Sequence, residues 1–405
     1  MLKAYSEIFR PAGTKGFAAA GFLARLPIAM APIGIVTMLS LSHGGYWLAG
    51  AVAAAFTFTN AVAAPQISRL VDRFGQSRVL TPTAAISVAA FGFLMLSARF
   101  DWPIWTLFAS ALLAAAMPSM PAMVRARWTE VFRGRPELNT AFAFESVADE
   151  LVYIAGASLS VALSVTLFPE AGVLASTLFL SVGMAAFVLQ RRTEPRIRVL
   201  ETGGGRSAIR LRPVQIVTAA LVFVGALFAT AEVSTVALTA ELGQPSAASL
   251  VIGVYAMGSF IVGLIFGALN LKAPFERQLL AALGVVLLTT LPLLLVDSVP
   301  ALAAAIFLSG VAISPTFITA FGLVERRVPP EILTEGITWV MTGIGMGMAL
   351  GAFVAGWVVD AFGARNGFWV SVGAAGAAVT IMAWGQRTLG EPQVDALGAQ
   401  PLSCR

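Results

Sequence analysis

Five charged residues sit inside long apolar stretches: Arg25, Glu145, Asp149, Glu150 and Glu232. A charge at the centre of a bilayer costs about 2.5–3.5 kcal/mol on insertion scales, so such side chains face a protein interior or a cavity and find partners there. Glu145 and Asp149 are four apart and share a helix face, with Glu150 beside them. Arg25 lies at a matching depth in its own stretch. A nearby arginine favours ionised carboxylates, whereas desolvation and mutual repulsion favour protonation of one of them. The group is either a site that takes up and releases a proton or a static ion-pair network. Glu232, within Phe228-Ala229-Thr230-Ala231-Glu232-Val233-Ser234-Thr235, has no cation near it in sequence. It is a candidate for proton coupling, for binding a cationic or hydroxylated substrate, or for a hydrogen-bonded acid held between helices. His43 and Cys404 are the only histidine and cysteine, so zinc and haem chemistry have almost no ligands, and no metal or cofactor is expected. No Walker-type phosphate loop occurs, which argues against a self-contained ATP-driven pump, and no enzyme activity is expected.

The elements that must position these groups follow from composition. Hydrophobic residues make up 58% and charged residues 12% of 405, against about 25% charged in soluble domains. Segments of about 20 apolar residues, the length that crosses a bilayer, recur almost end to end. Twelve spans are expected: Gly16–Ser40, Tyr46–Ile67, Val79–Leu96, Trp105–Val124, Ala141–Phe168, Gly172–Leu189, Val214–Leu238, Ala248–Leu269, Leu279–Leu295, Ala301–Leu323, Ile337–Val359 and Gly367–Trp384. Nearly all lysines and arginines fall in alternate loops, with Arg99 and Arg365 opposite, so both termini are expected in the cytoplasm of a bacterial inner membrane. Trp47, Trp102, Trp105, Trp357 and Trp369 read as an outer aromatic belt, and Trp128, Trp339 and Trp384 as an inner one. The net charge of +5 is explained by this topology and calls for no nucleic acid.

Residues 191–212, rich in arginine and interrupted by Gly203-Gly204-Gly205, read as a cytoplasmic linker. It separates a half at 1–190 from a half at 213–388, with a tail at 389–405, and its arginines are expected against anionic headgroups. Pro118 and Pro315, late in spans four and ten, each precede a basic turn and a threonine, Thr140 and Thr334, at offsets of roughly 195 residues, a faint internal repeat. Pro27 and Pro32 are expected to interrupt span one, and Pro118 and Pro315 to bend theirs. Gly343, Gly347, Gly351 and Ala355 form a smooth face for close helix contact. Thr59 and Asn60 are expected to supply interhelical hydrogen bonds.

Between spans two and three stands Ser68-Arg69-Leu70-Val71-Asp72-Arg73-Phe74-Gly75-Gln76-Ser77-Arg78. This loop resembles that of the major facilitator superfamily, a small residue, three positions, Asp-Arg, any residue, Gly and basic residues. Asp72, Arg73, Gly75 and Arg78 match; Ser68 stands at the family glycine, and Gln76 and Ser77 at its paired basic residues. The second copy, at Leu269 to Arg277, lacks the Asp-Arg-x-Gly core. The resemblance implies an all-α membrane protein of twelve helices in two parallel six-helix repeats, with spans one, four, seven and ten around a substrate cavity. It further implies that Asp72 faces the N-terminal end of span eleven and latches the halves. Superfamily antiporters carry a Gly-Pro pair in span five and an arginine in span four. Here Ala155-Gly156-Ala157-Ser158 has no proline, and no arginine lies between Trp105 and Met123, leaving Arg25 as the one intramembrane cation. The expected function is a monomeric secondary transporter, a proton-coupled exporter (efflux antiporter) of small amphipathic molecules. An importer of a small organic solute and a non-transporting receptor or lipid-handling scaffold are the alternatives.

Overall fold

The computed structural model describes residues 2–43, 46–197, 207–244, 247–269, 271 and 273–389. The Gly203–Gly205 stretch, Arg198, Arg206, Asn270, Lys272, Cys404 and most of the 389–405 tail lie outside the described residues, as do the side chains of His43 and Trp47. Among the described residues the secondary structure is helical, without strands. Eleven helices are long and apolar enough to cross a membrane, and the remaining crossing, span four, is split into Ile104–Ala114 and Met120–Phe132. The twelve spans expected from the apolar runs are thus all present.

Span one is Thr14–Arg25 followed by Pro27–His43, and spans two and three are Tyr46–Phe74 and Gln76–Arg99. Spans five to eight are Glu137–Thr166, Ala171–Leu189, Arg212–Glu241 and Ala247–Ala268. Span nine is Phe275–Thr290 with a 3₁₀ turn at Leu291–Leu295, and span ten is Val299–Gly310 with Ile313–Arg327. Spans eleven and twelve are Leu333–Phe362 and Ala364–Leu389. Several helices outrun their apolar cores: span two continues from Ile67 to Phe74 and span four from Val124 to Phe132. Polar and charged residues end the hydropathy signal there, yet the backbone hydrogen bonds continue because neighbouring helices receive those side chains.

Breaks occur where proline withdraws an N–H. Pro27 opens the second piece of span one, and Pro118 lies in the gap of span four. Pro315 stands in the first turn after the gap of span ten, so the fourth crossing of each half is broken at a matching place. Freed carbonyls in a membrane need donors, and Asn60 of span two supplies them, its amide donating to the carbonyls of Ala115 and Met117 at 3.0 Å each. Pro32 behaves otherwise than expected: the helix Pro27–His43 runs through it. The carbonyl it leaves without a donor belongs to Ile28, and both residues line the central cavity.

Within the second half, the small-residue face of span eleven packs on span seven. A Cβ added at Gly343, Gly347 or Gly351 would strike the carbonyl oxygens of Thr218, Val222 and Ala226 respectively, while Gly345 on the other face has nothing near it. This backbone-to-backbone packing holds the two helices as one body. Gly347→Ala is therefore expected to cost about 1–3 kcal/mol by overpacking, seen as a lowered melting temperature in detergent, with Gly345→Ala close to wild type.

Candidate functional site

Arg25 is buried, at 1% exposure, and its guanidinium reaches across to span five. It pairs with Glu145 and donates to Asp149 Oδ1 at 2.8 Å. The other oxygen of Asp149 accepts from Arg125 at 2.8 Å, and the other oxygen of Glu145 accepts from the indole of Trp128 at 2.7 Å. Two guanidiniums and two carboxylates therefore form a neutral set, in which each carboxylate oxygen already has a nitrogen donor. Of the two arrangements open in the sequence, this geometry is that of a brace joining spans one, four and five.

Two expectations are corrected here. Arg25 is not alone as a buried cation: Arg125 and Arg127 are both fully buried on the continuation of span four. The reason is that span four extends beyond Val124, where the hydropathy signal stops. Likewise Trp128 is no belt residue. It is fully buried, sits edge-on to Phe9 and Phe17 and stacks on Phe132. Its indole N–H is satisfied by Glu145 rather than by the membrane interface. By contrast Trp105, Trp357, Trp369 and Trp384 are each at least 60% exposed, as anchors are.

Above this brace lies a cavity of about 440 Å³ between the halves. It is lined from span one by Ile28, Ala29 and Pro32, from span five by Ser146, Asp149, Glu150 and Tyr153, and from span seven by Phe228 and Glu232. Spans eight, ten and eleven add Tyr255, Ser259, Phe317, Phe321, Ile344 and Met348. Among the described residues span four contributes no lining group, contrary to expectation, because its break and its buried arginines set it behind span five. Asp149, Glu150 and Glu232 are thus brought to one cavity, whereas Arg25 and Glu145 lie behind its wall. Pro118 and the loop 68–78 are remote from it.

Glu150 reaches the other half. One of its oxygens accepts from Ser259 of span eight and from Ser314 of span ten, the latter at 3.0 Å; the second oxygen is buried without a partner among the described residues. The guanidinium of Arg125 stacks on Phe321 of span ten at 4.1 Å from the ring centre. Glu232 is exposed on the cavity wall and has no hydrogen-bond or ion-pair partner among the described residues. An aromatic row runs from Tyr255 to Phe228 (5.6 Å, edge-on), to Phe317 (5.8 Å, stacked) and to Phe321 (6.4 Å).

The remaining hydrogen bonds between halves lie toward the face carrying the loop 68–78. Asp72 accepts from the backbone amides of Thr334 at 3.3 Å and Glu335 at 2.8 Å, capping the first turn of span eleven, where the helix dipole favours a carboxylate. Ser68, standing where the family loop has glycine, shares a 2.7 Å hydrogen bond with Thr338. Gln76 binds Arg127 Nε at 2.8 Å and the Met123 carbonyl at 3.0 Å, and Glu194 accepts from the Ser77 amide at 2.8 Å. Gly75 adopts φ 90°, which permits the tight reversal into span three. Arg73 and Arg78 are exposed on the turn. Tyr5, on the short helix Leu2–Ile8, donates to Leu264 at 3.0 Å, and Thr140 donates to Gly267 at 2.7 Å.

Sequence reasoning missed Arg125, Ser259, Ser314, Tyr255 and Phe321. Arg125 carried a signal: it precedes Asp149 in a stretch, Met120 to Phe132, without a helix breaker after Pro121. The serines and aromatics carried none, since such residues are common in any apolar helix.

The sequence matches the profile of the Major Facilitator Superfamily over residues 16–296 and 231–400. Among curated proteins no sequence matches. Of the solved structures, a bacterial homologue of the iron transporter ferroportin in an outward-facing state superposes with a TM-score of 0.73 at 13% identity, covering 92% of this chain and 99% of that one. The human organic anion transporter MFSD10 gives 0.69 at 14% identity, covering 92% and 100%. The E. coli fucose:proton symporter gives 0.66 at 14%, covering 91% and 98%. At these identities the likeness concerns the fold alone.

Removing one member of the buried set strands its partners, which costs about 3–5 kcal/mol. Arg25→Leu is expected to lower folded yield and melting temperature sharply, and Glu232→Gln, at a group without partners, to shift stability by no more than about 0.5 kcal/mol. Thermal unfolding of the purified variants in detergent checks both.

Proposed function

This chain belongs to the major facilitator superfamily and is a multi-pass membrane transporter, and we propose that it is a proton-coupled exporter of small amphipathic molecules working by alternating access. The observation that carries this reading is the cavity between the halves, which holds two carboxyl groups, Glu150 and Glu232, that no cation among the described residues neutralises. The lysine and arginine bias puts the face bearing the loop 68–78, with both termini, in the cytoplasm of a bacterial inner membrane. On that orientation the closed exit is the cytoplasmic one. Residues 1–190 and 213–388 are then the two rocking halves, joined by the segment 191–212, whose described arginines are exposed and so free to meet anionic headgroups.

Glu150 is the proposed seat of coupling. Ionised, it accepts from hydroxyls of the opposite half and ties the inner end of the cavity shut. Protonated, it becomes in part a donor and loses acceptor capacity, which loosens that tie. Asp72 on span eleven is the second tie, and neither holds by more than a few hydrogen bonds, each worth about 1 kcal/mol net. A proton taken up from outside would thus favour opening to the cytoplasm, and its release there would leave the cavity free for substrate. Arg125 supplies the span-four cation that the antiporters of the superfamily carry, and this supports exchange of substrate against protons.

Reconstitution into liposomes with an imposed pH gradient tests the reading. Inverted proteoliposomes are expected to accumulate a small amphipathic substrate when their lumen is acidic, and Glu150→Gln to abolish that accumulation while still folding. Undiminished accumulation in Glu150→Gln would remove this residue from the mechanism. Accumulation with the opposite gradient polarity would assign import. The latch is tested separately: Asp72→Ala should weaken the closed state by about 1–2 kcal/mol. In a Cys404→Ser background, a cysteine at cavity position Ser146 should then label faster from the cytoplasmic side.

A further inference from the structure

We infer that the central cavity recognises lipophilic organic cations, with Glu232 as the charge that selects them; this rests on the transport reading and names its cargo. Electrostatics give the sign. Asp149 is neutralised by Arg25 and Arg125, and Glu150 is held only by neutral hydroxyls. Among the described residues Glu232 has no partner, and no lysine, arginine or histidine lines the cavity. A carboxylate on such a wall, with apolar neighbours and no cation opposite it, favours a proton or a cation brought from outside as its partner. An organic anion entering the same space meets repulsion from Glu150 on one half and Glu232 on the other.

The wall gives the type of cation. Phe228 precedes Glu232 by one helical turn on span seven, so an aromatic face and a carboxylate are presented side by side. Tyr255 sits edge-on to Phe228, Phe317 stacks behind it, and the hydroxyl of Tyr255 is buried without a partner among the described residues. A cation over a desolvated aromatic face is attracted by the negative face of the ring quadrupole. The space of about 440 Å³ falls within the range of sites for drug-sized ligands. A bare metal ion is poorly served: among the described residues no group of three or more His, Cys, Asp or Glu side chains could hold one. A compact hydrophilic amine would lose its hydration against apolar walls. A positive charge spread over an apolar body satisfies both the carboxylate and the aromatic row.

The test is equilibrium binding to the full-length protein in nanodiscs, without any gradient, using tetraphenylphosphonium and tetraphenylborate, two ions of like shape and opposite charge. The cation is expected to bind saturably and the anion not. Glu232→Gln should weaken cation binding by about tenfold or more at unchanged melting temperature, and Phe228→Ala should weaken it too. Equal binding of both ions, or cation binding unchanged in Glu232→Gln, would overturn the inference. Should Glu232→Gln fail to fold, the comparison of the two ions on the unmodified protein decides. If the cation binds with this preference but proteoliposomes never accumulate it under a pH gradient, cation recognition stands and the transport reading falls. If proteoliposomes concentrate a neutral or anionic solute while tetraphenylphosphonium does not bind, transport stands and cation recognition falls.

Discussion

Two guanidiniums and two carboxylates are held out of water inside the first half, and the physics of burying charge dictates much of what surrounds them. A single ion moved into a low-dielectric interior costs several kcal/mol even after relaxation, so Arg25, Arg125, Glu145 and Asp149 are tolerable only as a complete and correctly oriented set. Keeping them oriented fixes span one against span five, brings the end of span four inward and places Trp128 where its N–H completes the shell of Glu145. The aromatic packing of Phe9, Phe17, Phe132 and Phe144 follows from that placement. The set is neutral, and among the described residues no cation pairs with Glu150 or Glu232.

A second contrast lies between contacts within a half and contacts across halves. Span eleven meets span seven backbone to backbone through Gly343, Gly347 and Gly351, and the gap in span four is bridged by Asn60. Such contacts leave no slack. Across the halves, apolar packing such as Gly267 against Ala143 and the stacking of Arg125 on Phe321 is joined by polar contacts: Asp72 on the amides of Thr334 and Glu335, Ser68 with Thr338, Thr140 with Gly267, Tyr5 with Leu264 and Glu150 with two serines. Each polar contact is exchangeable for water at small net cost. The departures of this chain from the family loop gain a physical sense here, since Ser68, Gln76 and Ser77 each bind a specific partner rather than merely filling space.

The spans were legible because apolar runs of bilayer length leave few alternatives, and the charges within them were legible because each is costly. Pairings were less so. The partnership of Arg25 with Glu145 and Asp149 could be read from matching depth, but Arg125 was lost, since hydropathy ends a span where polarity begins and the helix ignores that limit. Trp128 was misread for the same reason. Pro32 was expected to break span one, but the helix Pro27–His43 runs through it, as spans two and three run through Pro65 and Pro82.

By itself the sequence determined the twelve crossings, the distribution of basic residues on one face, the loop that carries the family resemblance and the short inventory of charges buried in the membrane. Those properties are local or periodic, and solvation by the bilayer enforces them residue by residue. Only the tertiary structure decided which carboxylates are neutralised and which are left over, that spans five and eight rather than span four line the cavity, and that Glu150 bridges to serines of the other half. Such facts depend on contacts between different helices, Arg125 with Asp149 across 24 positions of the chain and Glu150 with Ser259 across 109. A serine or a phenylalanine has the same local signature wherever it sits, and its role is fixed by what packing brings opposite it.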